Sequence, residues 1–453
     1  MAFSAEELRC ATDGVWRGGR GTAVGDVFTD TRDDGTGKLF FALAGERFDA
    51  HDFLDRAVAS GAAALCVRRG AAAPAGIPVL EVEDTLKAYQ ALGAYNRSRL
   101  PDLKCAAVTG SVGKTSVKEM LRAVFARVCG AERVLATAGN TNNHVGVPKN
   151  LLALAPLHRF AVLEIGMSHP GEILPLVSLV RPDVAVVNSI APCHIENLGS
   201  LEGIAREKGD IFKGLSGEGT AVIPADIPQT GILREAAAPR KVLTFGTGED
   251  CDVRARYLGG RIDGGSFELA FRGGKTFRID WKLPGGHQAL NASAAAAAAW
   301  SLGISPEDIC AALPDTVLPG MRSKITRIGG AVYINDAYNA NPASMAAALD
   351  YLAESVASEQ LILLLGGMLE LGACSDREHE KLLAAALKRF PGAEVFAFGQ
   401  PFAAAASRLD VPFYGDPADA AEMLASIAVP GKVVFAKGSR GIGMERVLPP
   451  EAR

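Results

Sequence analysis

The residues with the clearest capacity for chemistry form a glycine-rich segment between an apolar strand and a helix. Residues 108–116 read VTGSVGKTS. Glycines let backbone N–H groups close around phosphate oxygens, and the start of the following helix adds a positive dipole. Lys114 is placed to contact the terminal phosphates of a nucleotide, and the Thr115 hydroxyl is a suitable ligand for Mg²⁺. The segment therefore predicts a P-loop that binds ATP.

This loop departs from the standard P-loop pattern at one position. Val108 stands where that pattern has its first glycine, six residues before Lys114, which leaves a chance glycine turn as the alternative. A P-loop alone does not distinguish a kinase, a GTPase, an ATPase or a ligase. The residues predicted to hold ATP here are Gly110, Ser111, Val112, Gly113, Lys114, Thr115 and Ser116.

Three further residues are candidates for a metal and carboxylate shell around the phosphates. Glu164 closes an apolar strand, and His194 lies just beyond the next one. Ligands bind at the carboxyl ends of strands in open α/β sheets, and a carboxylate suits Mg²⁺. Lys208 falls in a helical segment, where a solvated surface lysine is the simpler interpretation. A solvated acid and a structural histidine are the corresponding alternatives for Glu164 and His194.

The elements that must position these residues point to an α/β protein. The length of 453 residues suggests about three domains. Near-continuous apolar runs at residues 160–166, 183–190 and 219–224 are typical of parallel strands covered on both faces. Strand–helix alternation predicts a central, doubly wound P-loop domain. Its expected bounds are 102–315, with a small N-terminal α/β domain at 1–101 and a Rossmann-like C-terminal domain at 316–453.

Several local patterns refine this division. An amphipathic helix is predicted over 51–60 between two short strands of the N-terminal domain. Residues 251–281 alternate and contain glycine pairs, which favours antiparallel strands at the sheet edge, and residues 289–303 predict an alanine-rich helix. The strands predicted for the C-terminal domain are residues 332–335, 361–365, 394–398 and 432–436.

Composition and charge exclude some classes of protein. Lysine and arginine number 47 against 51 aspartates and glutamates, so the net charge of −4 shows no basic surplus for nucleic-acid binding. We find no signal peptide at the N-terminus and no apolar run long enough for a membrane span. The eight cysteines are scattered without a CxxC pair. Reduced thiols, a cytoplasmic location and no membrane insertion are therefore expected.

Taken together, these motifs and others along the chain resemble the Mur ligases of peptidoglycan synthesis, in particular the branch that adds D-alanyl-D-alanine. The resemblance extends from Asp30-Thr31-Arg32 to the end of the chain. The motifs that carry it are TGSVGKTS at 109–116, GNTNNHVGVP at 139–148, HIENLG at 194–199, HQALN at 287–291, PGMR at 319–322, DAYNAN at 336–341, GGMLELG at 366–372 and KGSR at 437–440. Many relatives have an acid where this chain has Gly367, which weakens any role carried over to that position.

The resemblance implies an ATP-dependent amide ligase with an acyl-phosphate intermediate. It places the UDP portion of the substrate at Thr31 and Arg32, and the passage between nucleotide and substrate at Asn140, Asn142 and Asn143. It implies Mg²⁺ at Thr115, Glu164, His194 and Lys208, the last as a carbamate, because an ammonium group cannot bind Mg²⁺. It places Asn291 near the adenine, Asp336 at the ribose and Arg322 at the phosphates. Catalytic roles are thereby implied for Lys114, His194, Lys208 and Arg322.

The implied substrates are UDP-N-acetylmuramoyl-tripeptide, D-alanyl-D-alanine and ATP, and a monomer is expected. The nearest alternatives are the ligase that adds the third peptide residue and a folylpolyglutamate synthase. The Thr31-Arg32 pair and the DAYNANP loop argue against the folate enzyme, and the lack of an Asp-Asn-Pro-Arg tetrapeptide argues against the third-residue ligase. A regulatory ATP-binding module would leave the carboxylate, histidine and arginine unexplained. The sequence does not indicate whether the third peptide residue is diaminopimelate or lysine.

Overall fold

The strands of the protein form three successive sheets within the residues that the structure, a computed structural model, describes. These residues are 2–19, 21–45, 48–193 and 195–453. None of the helices in these ranges combines the length and apolar character that a membrane crossing requires. Each sheet is covered by helices, as the strand–helix alternation of the sequence predicts.

The N-terminal sheet is mostly parallel, with the order β1-β5-β4-β3-β2 and an antiparallel β1. Its elements are α1 Ala5–Thr12, β1 Val15–Trp16, β2 Asp26–Phe28, β3 Lys38–Phe41, α2 Leu54–Ala59, β4 Ala64–Arg68, β5 Val79–Val82 and α3 Thr85–Ser98. A short 3₁₀ helix, Ala50–Phe53, leads into α2, so the helix predicted over 51–60 is confirmed in two parts. Apolar side chains from both faces of β3 and β4 are buried, which explains their unbroken apolar sequence.

The central sheet is larger and has the order β14-β13-β12-β11-β10-β9-β6-β8-β7. Its first elements are β6 Lys104–Thr109, α4 Lys114–Cys129, β7 Val134–Ala136, α5 Gly146–Leu152, β8 Phe160–Glu164, α6 Ile173–Val180, β9 Val184–Val187, α7 Ile195–Leu198 and α8 Leu201–Gly209. They are followed by β10 Thr220–Pro224, α9 Thr230–Ala237, β11 Lys241–Gly246, β12 Val253–Arg261, β13 Gly264–Phe271, β14 Thr276–Trp281, α10 Gly286–Ser301 and α11 Pro306–Ala312.

Strands β6 to β12 of this sheet pair in parallel, whereas β12, β13 and β14 form an antiparallel edge. The antiparallel strands predicted between residues 251 and 281 are therefore confirmed. The predicted alanine-rich helix is α10, whose Ala294–Ala299 run is fully buried. Small side chains let α10 pack closely against both the sheet and α4.

The C-terminal sheet has the order β15-β16-β20-β17-β18-β19, parallel except for β15. Its elements are β15 Lys324–Ile328, β16 Ala331–Asn335, α12 Pro342–Ser355, β17 Leu361–Gly366, α13 Ser375–Arg389, β18 Glu394–Phe398, α14 Ala403–Arg408, β19 Phe413–Tyr414, α15 Ala421–Ile427 and β20 Val433–Lys437. All four strands predicted for this domain are present within a residue of their predicted bounds. Other 3₁₀ helices are Arg17–Gly19, Ala131–Arg133, Asp210–Gly214, Leu313–Asp315, Ser358–Gln360, Gly372–Cys374, Gln400–Phe402, Pro417–Ala420, Arg440–Ile442, Met444–Val447 and Pro450–Ala452.

Candidate active site

The glycine-rich loop connects β6 to the start of α4 at the carboxyl edge of the central sheet. Gly113 has a φ of 79°. A Cβ at this position would collide with Asn188 Nδ2 and Asn291 Oδ1, so glycine is strongly favoured. No side chain from the described ranges caps the start of α4, which leaves its first amide N–H groups directed at the cavity beside them. This is the arrangement that a phosphate group requires.

The segment after β9 holds the loop in shape. The N–H groups of Ser111 and Val112 donate to Ser189 O and Ser189 Oγ, each at 2.9 Å. Asn188 Nδ2 donates to Val112 O at 3.0 Å and to Asn291 Oδ1 at 2.8 Å. Asn291 thus lies against the P-loop, beside the position predicted for ATP.

Val108, the departure from the standard P-loop pattern, lies inside β6. It pairs with Glu164 of β8 and Val186 of β9, and its side chain is fully buried. The strand therefore continues through the position where the standard pattern has its first glycine. The turn begins only at Gly110, and a valine is favourable at a buried strand position.

A buried carboxylate faces the P-loop. Glu164 is 3% exposed, accepts a hydrogen bond from Thr115 Oγ1 at 2.9 Å, and accepts another from Asn142 Nδ2 at 2.9 Å. Its backbone N–H donates to Thr137 Oγ1. A hydroxyl and a carboxylate meeting at the phosphate end of the loop form an oxygen donor set, which suits a hard cation such as Mg²⁺.

Two of the predicted site residues are lysines, close enough for the charge of one to affect the other. Lys114 Nζ donates to Gly110 O at 2.6 Å, so the side chain folds back over the loop. Lys208, on α8, is 2% exposed. Burial, followed by the positive charge of Lys114, lowers the pKa of Lys208 to about 7. The simpler interpretation of the sequence, a solvated surface lysine, is therefore wrong. Lys208 carries a buried amine that is partly neutral near neutral pH.

Arg322 reaches this site from the C-terminal sheet's side of the cavity. Its Nη2 donates to Thr115 Oγ1 at 3.1 Å, and its guanidinium lies 3.6 Å from the centre of the Tyr338 ring. Asp336 lies close to Arg322: one oxygen accepts from Ser323 N–H at 3.0 Å, and the other from Lys437 Nζ at 2.6 Å. Arg322 thus contacts the P-loop residue Thr115, and Asp336 lies beside the segment that carries Arg322.

Sequence reasoning did not assign roles to several residues of this cluster. Lys437 is the first residue of the KGSR motif, but its buried ion pair with Asp336 joins positions about a hundred residues apart. Tyr338 lies within the DAYNAN motif, which was the only signal for it. His287 lines the same cavity, and burial lowers its pKa to about 4, so the imidazole is neutral.

Most of these residues line a cavity of about 980 Å³ between the central and C-terminal sheets, whereas Gly110 and Lys208 lie behind its walls. Of the predicted site residues, its walls include Ser111, Val112, Gly113, Lys114, Thr115, Ser116, Asn140, Asn142, Asn143, Glu164, Asn291, Arg322 and Asp336. Thr31 and Arg32 do not line it: they follow β2 in the N-terminal domain, where Arg32 is exposed and pairs with Asp30. His194 lies outside the described residues.

Comparisons with known proteins agree with this geometry. The family model described as "Mur ligase middle domain" matches residues 108–299, and "Mur ligase, glutamate ligase domain" matches 321–440. The UDP-N-acetylmuramoyl-tripeptide–D-alanyl-D-alanine ligase of Escherichia coli (strain K12) is 42% identical over 80% of this chain and 78% of that protein. The chain belongs to the Mur ligase family.

Solved Mur ligase structures have the same fold over nearly the whole chain. A crystal structure of MurF from Acinetobacter baumannii is 34% identical, with a TM-score of 0.92 over 99% of this chain and 98% of that one. MurF ligase from Thermotoga maritima in complex with ADP is 27% identical, with a TM-score of 0.81 over 93% and 96%. The α/β fold implied by the resemblance is thereby confirmed, and the similarity places this Mur ligase in the D-alanyl-D-alanine-adding branch.

Proposed function

We propose that this Mur ligase joins D-alanyl-D-alanine to UDP-N-acetylmuramoyl-tripeptide and forms ADP and phosphate. The observation that carries the type of reaction is the meeting of Lys114, Thr115, Glu164 and Arg322 at one end of the cavity. The choice of substrates rests on similar D-alanyl-D-alanine-adding ligases that match most of the chain. This reaction is the last step in assembling the pentapeptide precursor of peptidoglycan. We prefer it to the two alternatives considered from the sequence, the third-residue ligase and the folylpolyglutamate synthase.

The first step activates a carboxylate. A carboxylate oxygen of the tripeptide attacks the γ-phosphorus of ATP, the bond to the β-phosphate oxygen breaks, and an acyl phosphate and ADP are formed. Amide groups at the start of α4, together with Lys114, hold the phosphates in line. Arg322 stabilises the charge that spreads over the transferred phosphoryl group.

The second step forms the amide. The amine of D-alanyl-D-alanine attacks the acyl carbon, a tetrahedral intermediate forms, and phosphate leaves as the amine loses a proton. The acyl phosphate has to be protected from water during this step. The walls supplied by the central and C-terminal sheets enclose the reacting groups and serve this purpose.

Thr115 and Glu164 are the described residues that fit Mg²⁺, with His194 as a further ligand by resemblance. The ion would neutralise phosphate charge and polarise the γ-phosphoryl group. Lys208 would join this set as a carbamate: its neutral amine attacks CO₂, a C–N bond forms as the electrons of one C–O π bond move to oxygen, and the nitrogen loses one proton. Burial favours this reaction because it increases the neutral fraction of the amine.

The remaining assignments are part of the same proposal. The chain divides near residues 101 and 316, consistent with sheets that span 15–82, 104–281 and 324–437. Thr31 and Arg32 bind the UDP portion, and Asn140, Asn142 and Asn143 line the passage to the nucleotide. Asn291 contacts the adenine, and Asp336 the ribose. The enzyme acts as a monomer in the cytoplasm, where ATP is available and thiols stay reduced.

ADP release by the purified protein tests the reaction. With Mg²⁺, ATP and UDP-N-acetylmuramoyl-tripeptide, release should depend on added D-alanyl-D-alanine, and mass spectrometry should show the pentapeptide product. Release without any amine would instead indicate a kinase or an uncoupled ATPase. Parallel reactions with diaminopimelate and lysine at the third position would show which tripeptide is preferred.

Removal of CO₂ tests the carbamate separately. We expect activity to fall in CO₂-depleted buffer and to return on addition of bicarbonate, and ¹³C-bicarbonate should give a carbamate resonance that is absent from Lys208→Arg. Full activity without CO₂ and no resonance in the wild type would contradict the carbamate while leaving the ligase reaction intact.

A further inference from the structure

Arg322 is held in a defined orientation by the aromatic ring of Tyr338. The centre of its guanidinium lies 3.6 Å from the ring centroid, the distance of a closely stacked cation–π pair. Its Nη2 points away towards Thr115 Oγ1, 3.1 Å distant. The side chain is thus packed between the ring on one side and the P-loop on the other. We propose that Tyr338 is a positioning residue, which aims Arg322 at the transferred phosphoryl group.

The backbone around this pair is constrained from both ends. The N–H of Tyr338 donates to Met321 O at 3.1 Å, and the N–H of Ser323 donates to Asp336 Oδ1 at 3.0 Å. The residues on either side of Arg322 are therefore bonded to the segment that carries Tyr338. These two hydrogen bonds favour a fixed position of the ring relative to the guanidinium.

Backbone strain next to Arg322 supports a functional reason for this arrangement. Ser323 has a φ of 53°, in the left-handed region that non-glycine residues rarely adopt. Such strain persists only where the surrounding structure enforces it, and it concentrates at functional sites. Here Ser323 N–H donates a stabilising hydrogen bond to Asp336, and Lys437 Nζ in turn donates to Asp336 at 2.6 Å.

The stack has a specific mechanistic consequence. An arginine on an exposed loop samples many rotamers, and each must be frozen before the guanidinium can meet the phosphoryl group. A ring face restricts the guanidinium to one plane while leaving its N–H edge available, because a stacked guanidinium still donates in its own plane. The ring face, and not the Tyr338 hydroxyl, is the feature that matters.

Substitutions that separate the ring from the hydroxyl test this inference, which rests on the proposed ligase reaction. Tyr338→Phe keeps the ring and should retain kcat within about twofold, whereas Tyr338→Leu should lower kcat at least about tenfold. KM for UDP-N-acetylmuramoyl-tripeptide should stay within about twofold in both variants, because the ring acts through Arg322 on the phosphoryl group. If Tyr338→Leu does not fold, as judged by its melting profile, Tyr338→Asn replaces it.

A double-mutant cycle distinguishes positioning from general structural support. In an Arg322→Lys background there is no planar guanidinium to orient, so Tyr338→Leu should cost no more than about twofold in kcat. An equal loss in both backgrounds, or a loss in Tyr338→Phe as large as in Tyr338→Leu, would overturn the inference. Wild-type enzyme in the same assay keeps the two proposals apart: without dipeptide-dependent ADP release the ligase reaction itself is wrong.

Discussion

At the scale of single residues, the candidate site includes the buried ionisable side chains of Glu164 and Lys208. Glu164 is buried against the P-loop and still lies within hydrogen-bonding distance of Thr115. Lys208 is buried with the positive charge of Lys114 nearby. A buried carboxylate and a buried amine are each unfavourable alone. The proposed magnesium site would supply the compensating charge for Glu164 and for a carbamate on Lys208.

Glu164→Gln removes the carboxylate charge while keeping a side chain of the same size. We expect kcat to fall by about 10²- to 10³-fold. The variant lacks a carboxylate that would help to bind the Mg²⁺ ion, and this ion would neutralise the negative charge on the transferred phosphoryl group. Raising the Mg²⁺ concentration should recover part of the loss. ADP release measured across a Mg²⁺ series checks this, and the exposed Glu235→Gln serves as the control. Full activity at low Mg²⁺ in Glu164→Gln would remove Glu164 from the metal site.

The buried amine of Lys208 predicts a pH dependence of stability. Its pKa is lowered to about 7 in the folded state, whereas a lysine in an unfolded chain has a pKa of about 10.4. Between these values the unfolded chain binds more protons, so the stability of the folded state rises with pH. The free energy of unfolding of the wild type should therefore rise relative to that of Lys208→Met from about pH 7 to about pH 10.

Urea denaturation of both proteins in CO₂-free buffer, at a series of pH values, measures this difference. Lys213→Met, at an exposed position close by, should follow the wild-type profile. A difference between wild type and Lys208→Met that stays constant with pH would show that the buried amine is not perturbed.

At the scale of elements, the start of α4 is the feature on which the proposed nucleotide binding depends. The helix begins directly after the tight turn at Gly113, and Asn188 and Asn291 pack against that turn. A helix start in such a position presents amide groups to an anion. A Cβ at Gly113 would meet the side chains of Asn188 and Asn291, so another residue fits only if these two side chains move.

Gly113→Ala should raise the Kd for ATP at least about tenfold, which corresponds to about 1.4 kcal/mol. The added Cβ would push Asn188 and Asn291 aside and strain a φ of 79°. Isothermal titration calorimetry measures the affinity. Gly303→Ala is the matched control: its φ is 85°, but nothing lies within 4 Å of the added Cβ. The control should lose about 1 kcal/mol of stability and keep its ATP affinity, whereas equal affinities in both variants would contradict the role of the turn.

At the scale of the whole molecule, the cavity is closed on opposite sides by the central and C-terminal sheets. ATP and a large nucleotide-sugar substrate both have to enter it. Besides Arg322 and Thr115, a contact between Gly372 and Glu196 of α7 joins the two sides. We therefore predict that these sides separate and close again during turnover.

A reversible cross-link tests that motion. A Cβ on Gly372 would lie 3.0 Å from Glu196 Cβ, so the two positions need to move apart by only about half an ångström to reach the separation found in disulfides. The oxidised Glu196→Cys/Gly372→Cys variant should lose nearly all turnover, and reduction should restore it. Each single variant, treated with the same oxidant, controls for the native Cys193 and Cys374. Unchanged turnover in a fully cross-linked protein would show that substrates enter and products leave without opening.

Much of the fold was predictable because the relevant signals are local. The apolar runs at β8, β9 and β10 are buried on both faces, so their sequence differs little from what any parallel strand would show. The alternation of residues 253–281 likewise follows from strands with one face buried. The P-loop was recognisable because its glycines, its lysine and the following helix are consecutive.

By itself the sequence determined the strand and helix order, the P-loop and the Mur ligase family. Only the tertiary structure decided which distant residues meet. Arg322 contacts Thr115 across 207 positions, and Lys437 pairs with Asp336 across 101. It also decided that Lys208 is buried. The apolar side of a helix normally faces inward, so a charged residue on the buried side of α8 could not be recognised from the sequence. Such contacts depend on how sheets pack, and packing depends on all the side chains at the interface together.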